Sequence, residues 1–324
     1  MADRVLVLST GGTIEMAPGQ KGLVIGPGME FDRKSAGIPE SILLFNERKF
    51  SLPSPHMTPV QMLELTARLQ EIESSGDYRG VVVTHGTDTL EESAFLADLH
   101  LRGTTPVVFT AAMRSPGELG VDGPRNLRAA ILTASSEIHD FGVTVVLGDE
   151  IHAAGRVTKT CTSNTSSFSS PGYGPLGFVD EDGVILHRKP LWRLSMPPGP
   201  VVLENRVGLV RCAAGFGGEF VDYLSGQGYK GMVIEAFGRG NVPPETAFAV
   251  KRAIGAGIVV AITSRCYEGR VLGVYAYEGG CVDLIDAGAI TAGDMQGHKI
   301  RLLLMSALGR GMNAEGIRGL LGRL

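Results

Sequence analysis

The stretch VLVLSTGGTIEMAPG, residues 5–19, reads as a buried strand that ends abruptly in small hydroxyl residues. Val5-Leu6-Val7-Leu8 is continuously apolar, as expected of a parallel strand covered on both faces. Ser9-Thr10-Gly11-Gly12-Thr13 follows it. Paired glycines let the backbone turn sharply or approach another segment closely. Open α/β sheets place their ligand crevices at the carboxyl ends of strands, which makes Thr13 either a reactive group or a turn residue.

Outward from this stretch the same grammar recurs. Apolar runs at Arg4–Ser9, Gly80–His85, Pro106–Ala112, Gly142–Leu147, Val207–Arg211, Gly231–Phe237 and Gly257–Thr263 read as strands. Helical patterns separate them. Thr58-Pro59-Val60-Gln61 is a capping-box start with Pro at the first helical position, and Leu65, Leu69 and Ile72 lead to a stop at Gly76. Leu90–Arg102, Pro124–Ser135 after Asp122, and Pro244–Ala256 are further helices, and Ile300, Leu303, Leu304, Ala307 and Leu308 mark a terminal amphipathic one. Such a succession predicts an α/β fold. A larger N-terminal domain with a doubly wound, mainly parallel sheet is expected over 1–188, and a smaller C-terminal α/β domain over 206–324. Residues 189–205, with Pro190, Pro197, Pro198 and Pro200, read as the linker.

The bulk numbers narrow the class. The 324 residues carry a net charge of −4 and no dense Lys/Arg cluster, so a small-molecule or protein partner is expected rather than nucleic acid. The four cysteines have no metal-ligand spacing, so no metal site is expected and reduced thiols are. No apolar stretch approaches the about 18 residues of a membrane span, and the first residues read as a core strand, not a leader; a cytoplasmic location is the expectation. Dinucleotide, P-loop, nucleophile-elbow and H-E-x-x-H motifs are absent.

Two more segments carry candidate chemistry. Gly80-Val-Val-Val-Thr84-His85-Gly86-Thr87-Asp88-Thr89-Leu90 again runs from strand to glycine, hydroxyls and helix, and Arg156-Val-Thr158-Lys159-Thr160 sets a lysine among hydroxyls. A threonine hydroxyl attacks a carbonyl only when something takes its proton, and a neutral lysine can do so. Thr87, Asp88 and Lys159 are therefore read as a relay opposite Thr13, with freed N–H groups at Gly12 and Gly86 facing an oxyanion. Each residue has a plainer reading when taken alone. Thr87 or Asp88 is then a helix N-cap, Glu91 standing three residues after Asp88 and Glu92 three after Thr89. Lys159 is then a solvated lysine, His85 a satisfied core histidine, and the Ser/Thr run 158–170 a polar loop.

STGGTIE, VVVTHGTDTLEE, RVTKTCTSNTSSFSSPGYGPLG, AAMRSPGELGVDGPRNL and FGRGNVPPE together resemble the bacterial-type L-asparaginase (asparaginase/glutaminase) family. The resemblance implies a homotetramer of close dimers in which a neighbouring C-terminal domain completes each active site. It implies hydrolysis of a side-chain amide through a threonine acyl-enzyme, without metal or organic cofactor. It assigns Thr13 as nucleophile and Thr87, Asp88 and Lys159 as second threonine, acid and base. Ser54 would hold the substrate α-carboxylate, Asp88 its α-amino group, and the Ala112 carbonyl the leaving amide. Asn241 would reach into the partner's site. Three departures stand out. No tyrosine lies between Thr13 and Tyr78, where the family usually has one in a mobile loop; Glu15 replaces a small residue; Pro55 replaces a glutamine. Glu15 is one candidate for the missing tyrosine's role, and the glycine- and proline-bearing loop Glu15–Met29 is a candidate lid. The expected activity is hydrolysis of L-asparagine to L-aspartate and ammonia. Alternatives are an amidohydrolase for glutamine, a D-amide or a larger amide, and a non-catalytic amino-acid binder.

Overall fold

A computed structural model describes residues 3–26, 37–191 and 193–322. The chain divides into two compact units, 1–195 and 196–324, and the division falls inside the proline-bearing segment 189–205.

The first unit is built on β1 (Asp3–Gly11), β4 (Ile42–Leu52), β5 (Gly80–Thr84), β6 (Val107–Thr110), β7 (Val143–Leu147), β8 (Glu150–Ala153), β11 (Gly177–Val179) and β12 (Val184–Leu186). Between these come a small hairpin of β2 (Met16–Gly19) and β3 (Gly22–Ile25) and another of β9 (Thr158–Lys159) and β10 (Phe168–Ser169). Among the described residues the large sheet has the order β12-β11-β8-β7-β6-β5-β1-β4. Its β4-β1-β5-β6-β7 part is parallel and its β8-β11-β12 flank antiparallel.

The unbroken apolar runs are explained by cover on both faces. Leu6, Leu8, Val81 and Val83 point to α1 (Pro59–Ser75) and α2 (Leu90–His100), meeting Leu65, Leu69 and Ala94. Val5, Val7, Val82 and Val108 point the other way, to Leu127, Ala130 and Ile131 of α3 (Gly123–Ser135). The second unit is a parallel sheet in the order β13 (Val207–Arg211), β14 (Gly231–Ala236), β15 (Val259–Ser264), β16 (Ile290–Thr291). Its helices are α4 (Glu219–Gly226), α5 (Pro244–Gly255), α6 (Cys281–Asp286), α7 (Gly297–Gly309) and α8 (Ala314–Leu321).

The capping box at Thr58 forms with Gln61, and α1 stops at Gly76 in the left-handed conformation, φ 67°. Other local expectations are corrected. Helix α2 ends at His100 rather than Arg102, the Leu101 amide closing it on the Ala97 carbonyl. Helix α3 begins at Gly123 rather than Pro124, and the Asp122 carboxylate before it accepts the Met113 and Arg114 amides at 2.9 Å each. Strand β4 was not expected: its apolar start, Ile42–Phe45, runs on into Asn46, Glu47, Arg48 and Lys49, as an edge strand half open to solvent does. All four cysteines are free thiols. Among the described residues no helix is long and apolar enough to cross a membrane.

Candidate active site

Strands β1 and β5 pair with Ser9 opposite Thr84, so both run out at the same level of the sheet. The turns that follow therefore meet. A Cβ placed on Gly12 would lie 2.4 Å from both Cα and N of Gly86, and one on Gly86 would lie 2.6 Å from the Ser54 Cβ and Oγ. Glycines are needed here because backbone packs on backbone, and this contact sets the segment beginning at Thr13 beside the one beginning at Thr87. Ile14, next after Thr13, and Ala112, beyond the end of β6, both lie against Gly123 at the start of α3. Three strand ends thus share one edge, joined by Ser54 from the short turn after β4.

Lys159 reaches this edge from β9, which is pinned to β10 with Phe168 opposite it and buried. Its ammonium donates to Thr87 Oγ1 at 2.9 Å and to Asp88 Oδ1 at 2.7 Å. The lysine side chain is 18% exposed and that of Asp88 56%, so one end of the pair opens outward. The Lys159 amide donates to the Glu91 carboxylate at 3.2 Å, which fixes where the lysine begins. These contacts overturn the capping reading. The N-terminus of α2 has no side-chain cap; Thr87 and Asp88 face the lysine, and Thr89 donates to the Ser54 carbonyl at 2.8 Å. Nor is Lys159 a solvated surface lysine.

Ser54 is buried and its Oγ accepts the Asp88 amide at 3.1 Å, leaving its own hydrogen to be donated. His85 is the satisfied core histidine. It is fully buried, its Nδ1–H donates to the Gly86 carbonyl at 2.8 Å, and Nε2 accepts the Ser93 hydroxyl at 2.9 Å. Burial pushes its pKa down to about 4, so it is neutral and holds the Gly86 turn rather than moving protons.

Two expectations change. The Gly12 amide donates to the Leu52 carbonyl at 3.1 Å, so it is not a free oxyanion donor; its contribution is the close approach to Gly86. Glu15 does not take a loop tyrosine's place. Its carboxylate is turned into the protein, accepting the Ser9 hydroxyl and, at 3.4 Å, the Thr84 hydroxyl. Residues 16–25 of the expected lid form the β2–β3 hairpin, closed by the Gly26 amide on the Glu15 carbonyl, and residues 27–29 lie outside the described residues. Asn241 belongs to the second unit, where its side-chain carbonyl accepts the Cys281 amide at 3.3 Å.

The Glu91, Asp122 and Ser93 contacts were missed in the sequence. Only the Glu91 spacing carried a signal, and it pointed to a cap. Asp122 also accepts Asn126 Nδ2 at 3.1 Å, and Asn126 Nδ2 donates to the Ala111 carbonyl at 2.9 Å, so the turn carrying Ala112 is held from α3.

Residues 4–192 match the family described as Asparaginase, N-terminal, and residues 206–321 the Glutaminase/Asparaginase C-terminal domain. The chain is 34% identical to an L-asparaginase of Bacillus licheniformis over 94% of this chain and 95% of that protein. It is 38% identical to a probable L-asparaginase of Deinococcus radiodurans over 97% and 96%. It is 31% identical to one component of the glutamyl-tRNA(Gln) amidotransferase of Pyrococcus abyssi, over 97% of this chain and 74% of that one. Among solved structures it resembles a probable cytoplasmic L-asparaginase from Campylobacter jejuni, with a TM-score of 0.86 and 27% identity over 98% and 99% of the two chains.

Proposed function

We propose that this chain, which belongs to the asparaginase family and is an amidohydrolase, hydrolyses the side-chain amide of L-asparagine. The observation that carries the reading is Lys159 bridging Thr87 and Asp88 on the sheet edge where Gly12 and Gly86 touch. Thr13 Oγ attacks the amide carbon. Thr87 and Lys159, the lysine as its neutral amine, take the Thr13 hydroxyl proton and hand it to the departing nitrogen, so ammonia leaves and an aspartyl ester of Thr13 remains. Water then adds to the ester, the same pair takes its proton, and the Thr13 hydroxyl is restored as L-aspartate departs. A positioned proton carrier of this kind contributes about 10²–10⁴ in rate. The free hydroxyl hydrogen of Ser54 suits an α-carboxylate, the open side of Asp88 an α-ammonium, and the Ala112 carbonyl the leaving amide nitrogen. The Gly86 turn faces the acyl group. The reaction so drawn calls on no cofactor or metal.

The same reading places the protein in the cytoplasm as a homo-oligomer, a dimer or tetramer, in which Asn241 of one chain completes the site of another. Dilution below the dissociation constant of the oligomer should then lower specific activity, and Asn241→Ala should lower it without dissociating the oligomer.

A second reading, preference for another amide, is supported by Pro55. It is exposed beside buried Ser54 and offers neither an N–H nor a polar side chain to a substrate. Ammonia release from L-asparagine, L-glutamine, D-asparagine and larger amides separates the two by kcat/KM. Thr13→Ala should abolish release from the preferred amide; retention of activity would remove Thr13 as nucleophile. Calorimetric binding of L-aspartate with no release from any amide would leave only the binding-protein reading.

A further inference from the structure

We infer that Glu15 is a positioning residue for the two threonine-bearing turns, an inference that rests on the proposed reaction. Three neighbouring strands carry register partners in one row: Arg48 of β4 opposite Ser9 of β1, and Ser9 opposite Thr84 of β5. The Glu15 carboxylate folds back over this row. Oε1 accepts the Ser9 hydroxyl and, at 3.4 Å, the Thr84 hydroxyl, while Oε2 lies 3.9 Å from an Arg48 guanidinium nitrogen. The side chain is only 2% exposed, and Oε2 is buried without a hydrogen bond among the described residues.

A carboxylate is costly to bury, and this one is met by two hydroxyl donors and a cation rather than by a full set of hydrogen bonds. What it gains in return is location. Glu15 shares the helical turn Thr13–Glu15 with the proposed nucleophile, and its carbonyl accepts the Gly26 amide that closes the β2–β3 hairpin. Ser9 stands four residues before Thr13, and Thr84 three before Thr87. One oxygen is therefore tied to both strands immediately before the turns that carry the two threonines. Just past this row the β1–β4 register slips, Gly11 pairing with Leu52. A regular ladder with β4 does not continue to the Gly11-Gly12 turn, and Glu15 restrains the turn from its far side. The carboxylate acts on the chemistry by fixing where Thr13 sits relative to β5, not by touching substrate.

The test is steady-state ammonia release by the full-length enzyme, on whichever amide it prefers, with thermal melts alongside. Glu15→Ala, Glu15→Gln and Thr84→Val are compared with Ile72→Val, a core change in the last turn of α1, a helix that carries none of the row's residues. The expected result is a fall in kcat of about 10- to 100-fold for Glu15→Ala with KM within about twofold, the size expected when reacting groups shift by about 1 Å. Glu15→Gln, which keeps an acceptor oxygen, should recover part of it. Ile72→Val should lower the melting temperature and leave kcat unchanged. If Glu15→Ala does not fold, the Glu15→Gln/Thr84→Val pair decides: their effects on kcat should be non-additive, because both act through one oxygen. Wild-type kcat in the folded Glu15 variants, a change confined to KM, or strict additivity of the pair would overturn the inference. A wild-type enzyme inactive on every amide would instead overturn the proposed reaction.

Discussion

Replacing Gly12 by alanine tests the contact on which the site is built. Gly12 sits at φ 87°, ψ 179°, a region open essentially to glycine alone, where any other residue costs about 1–3 kcal/mol. Its new Cβ would lie 2.4 Å from Gly86 Cα and N and 2.8 Å from the His85 carbonyl carbon. Every one of these atoms is backbone, so no side chain can swing aside. Overpacking of this kind adds about 1–3 kcal/mol. Restoring ordinary contact needs the two turns to part by about 1 Å, and such a misplacement costs about 100-fold in rate, or about 2.7 kcal/mol of barrier. Gly12→Ala should therefore lose about 2–6 kcal/mol of stability. Its kcat/KM for the amide it prefers should drop about 100-fold at a temperature where it is folded. Gly76→Ala is the control. It also has positive φ, 67°, but stands at the end of α1 with nothing within 4 Å. It should lose about 1–2 kcal/mol and keep full activity. Urea unfolding and ammonia release measure both. A folded Gly12→Ala enzyme within threefold of wild-type kcat/KM would show that the turns need not touch for the chemistry.

Lys159→Met should lower kcat by about 10²–10⁴ while changing stability by less than about 1 kcal/mol, because Asp88 is more than half exposed; melts and ammonia release separate the two effects, and near-normal kcat would exclude the lysine from proton transfer. His85 gives a pH dependence of defined sign. Its pKa is held near 4 in the folded state against 6.5 unfolded, so the unfolded chain binds the extra proton first and stability is lost as pH falls from 6.5 to 4, by about 3 kcal/mol in total. Urea midpoints at pH 7, 5.5 and 4.5 should decline more steeply for wild type than for His85→Gln, and equal slopes would contradict the assignment. Asp122→Ala leaves the Met113 and Arg114 amides without their acceptor and should cost about 2 kcal/mol, with a lowered kcat/KM through the loosened Ala112 turn. An unchanged urea midpoint would mean water replaces the carboxylate fully.

Much of the framework was legible in the chain itself. β1, β5, β6 and β7 are covered on both faces, so their apolar runs are unbroken and stand out. The Thr58 box and Gly76 stop are contacts within a few residues, which local sequence encodes completely. The edge strand β4 was not legible, since a strand half open to solvent carries Glu47, Arg48 and Lys49 like any surface segment. Taken alone, Thr87 and Asp88 read as caps, because capping is what such residues do when only their near neighbours are considered, and Asp122 gave no sign of the amides it would hold. In the fold each turns instead to a distant partner or to the neighbouring turn.

The sequence by itself determined the elements: apolar period, caps and glycines are chosen by forces acting across one turn or one strand. It also placed Thr13 and Thr87 past strand ends, because the apolar runs before them give way to hydroxyls and glycines. Only the tertiary structure decided that Lys159, 72 residues on, meets Thr87, that Gly12 lies on Gly86, and that Glu15 turns inward over Arg48, Ser9 and Thr84. Strand register and backbone approach are settled by packing between segments far apart in the chain, and no local pattern records which side chains that packing will bring within hydrogen-bond reach.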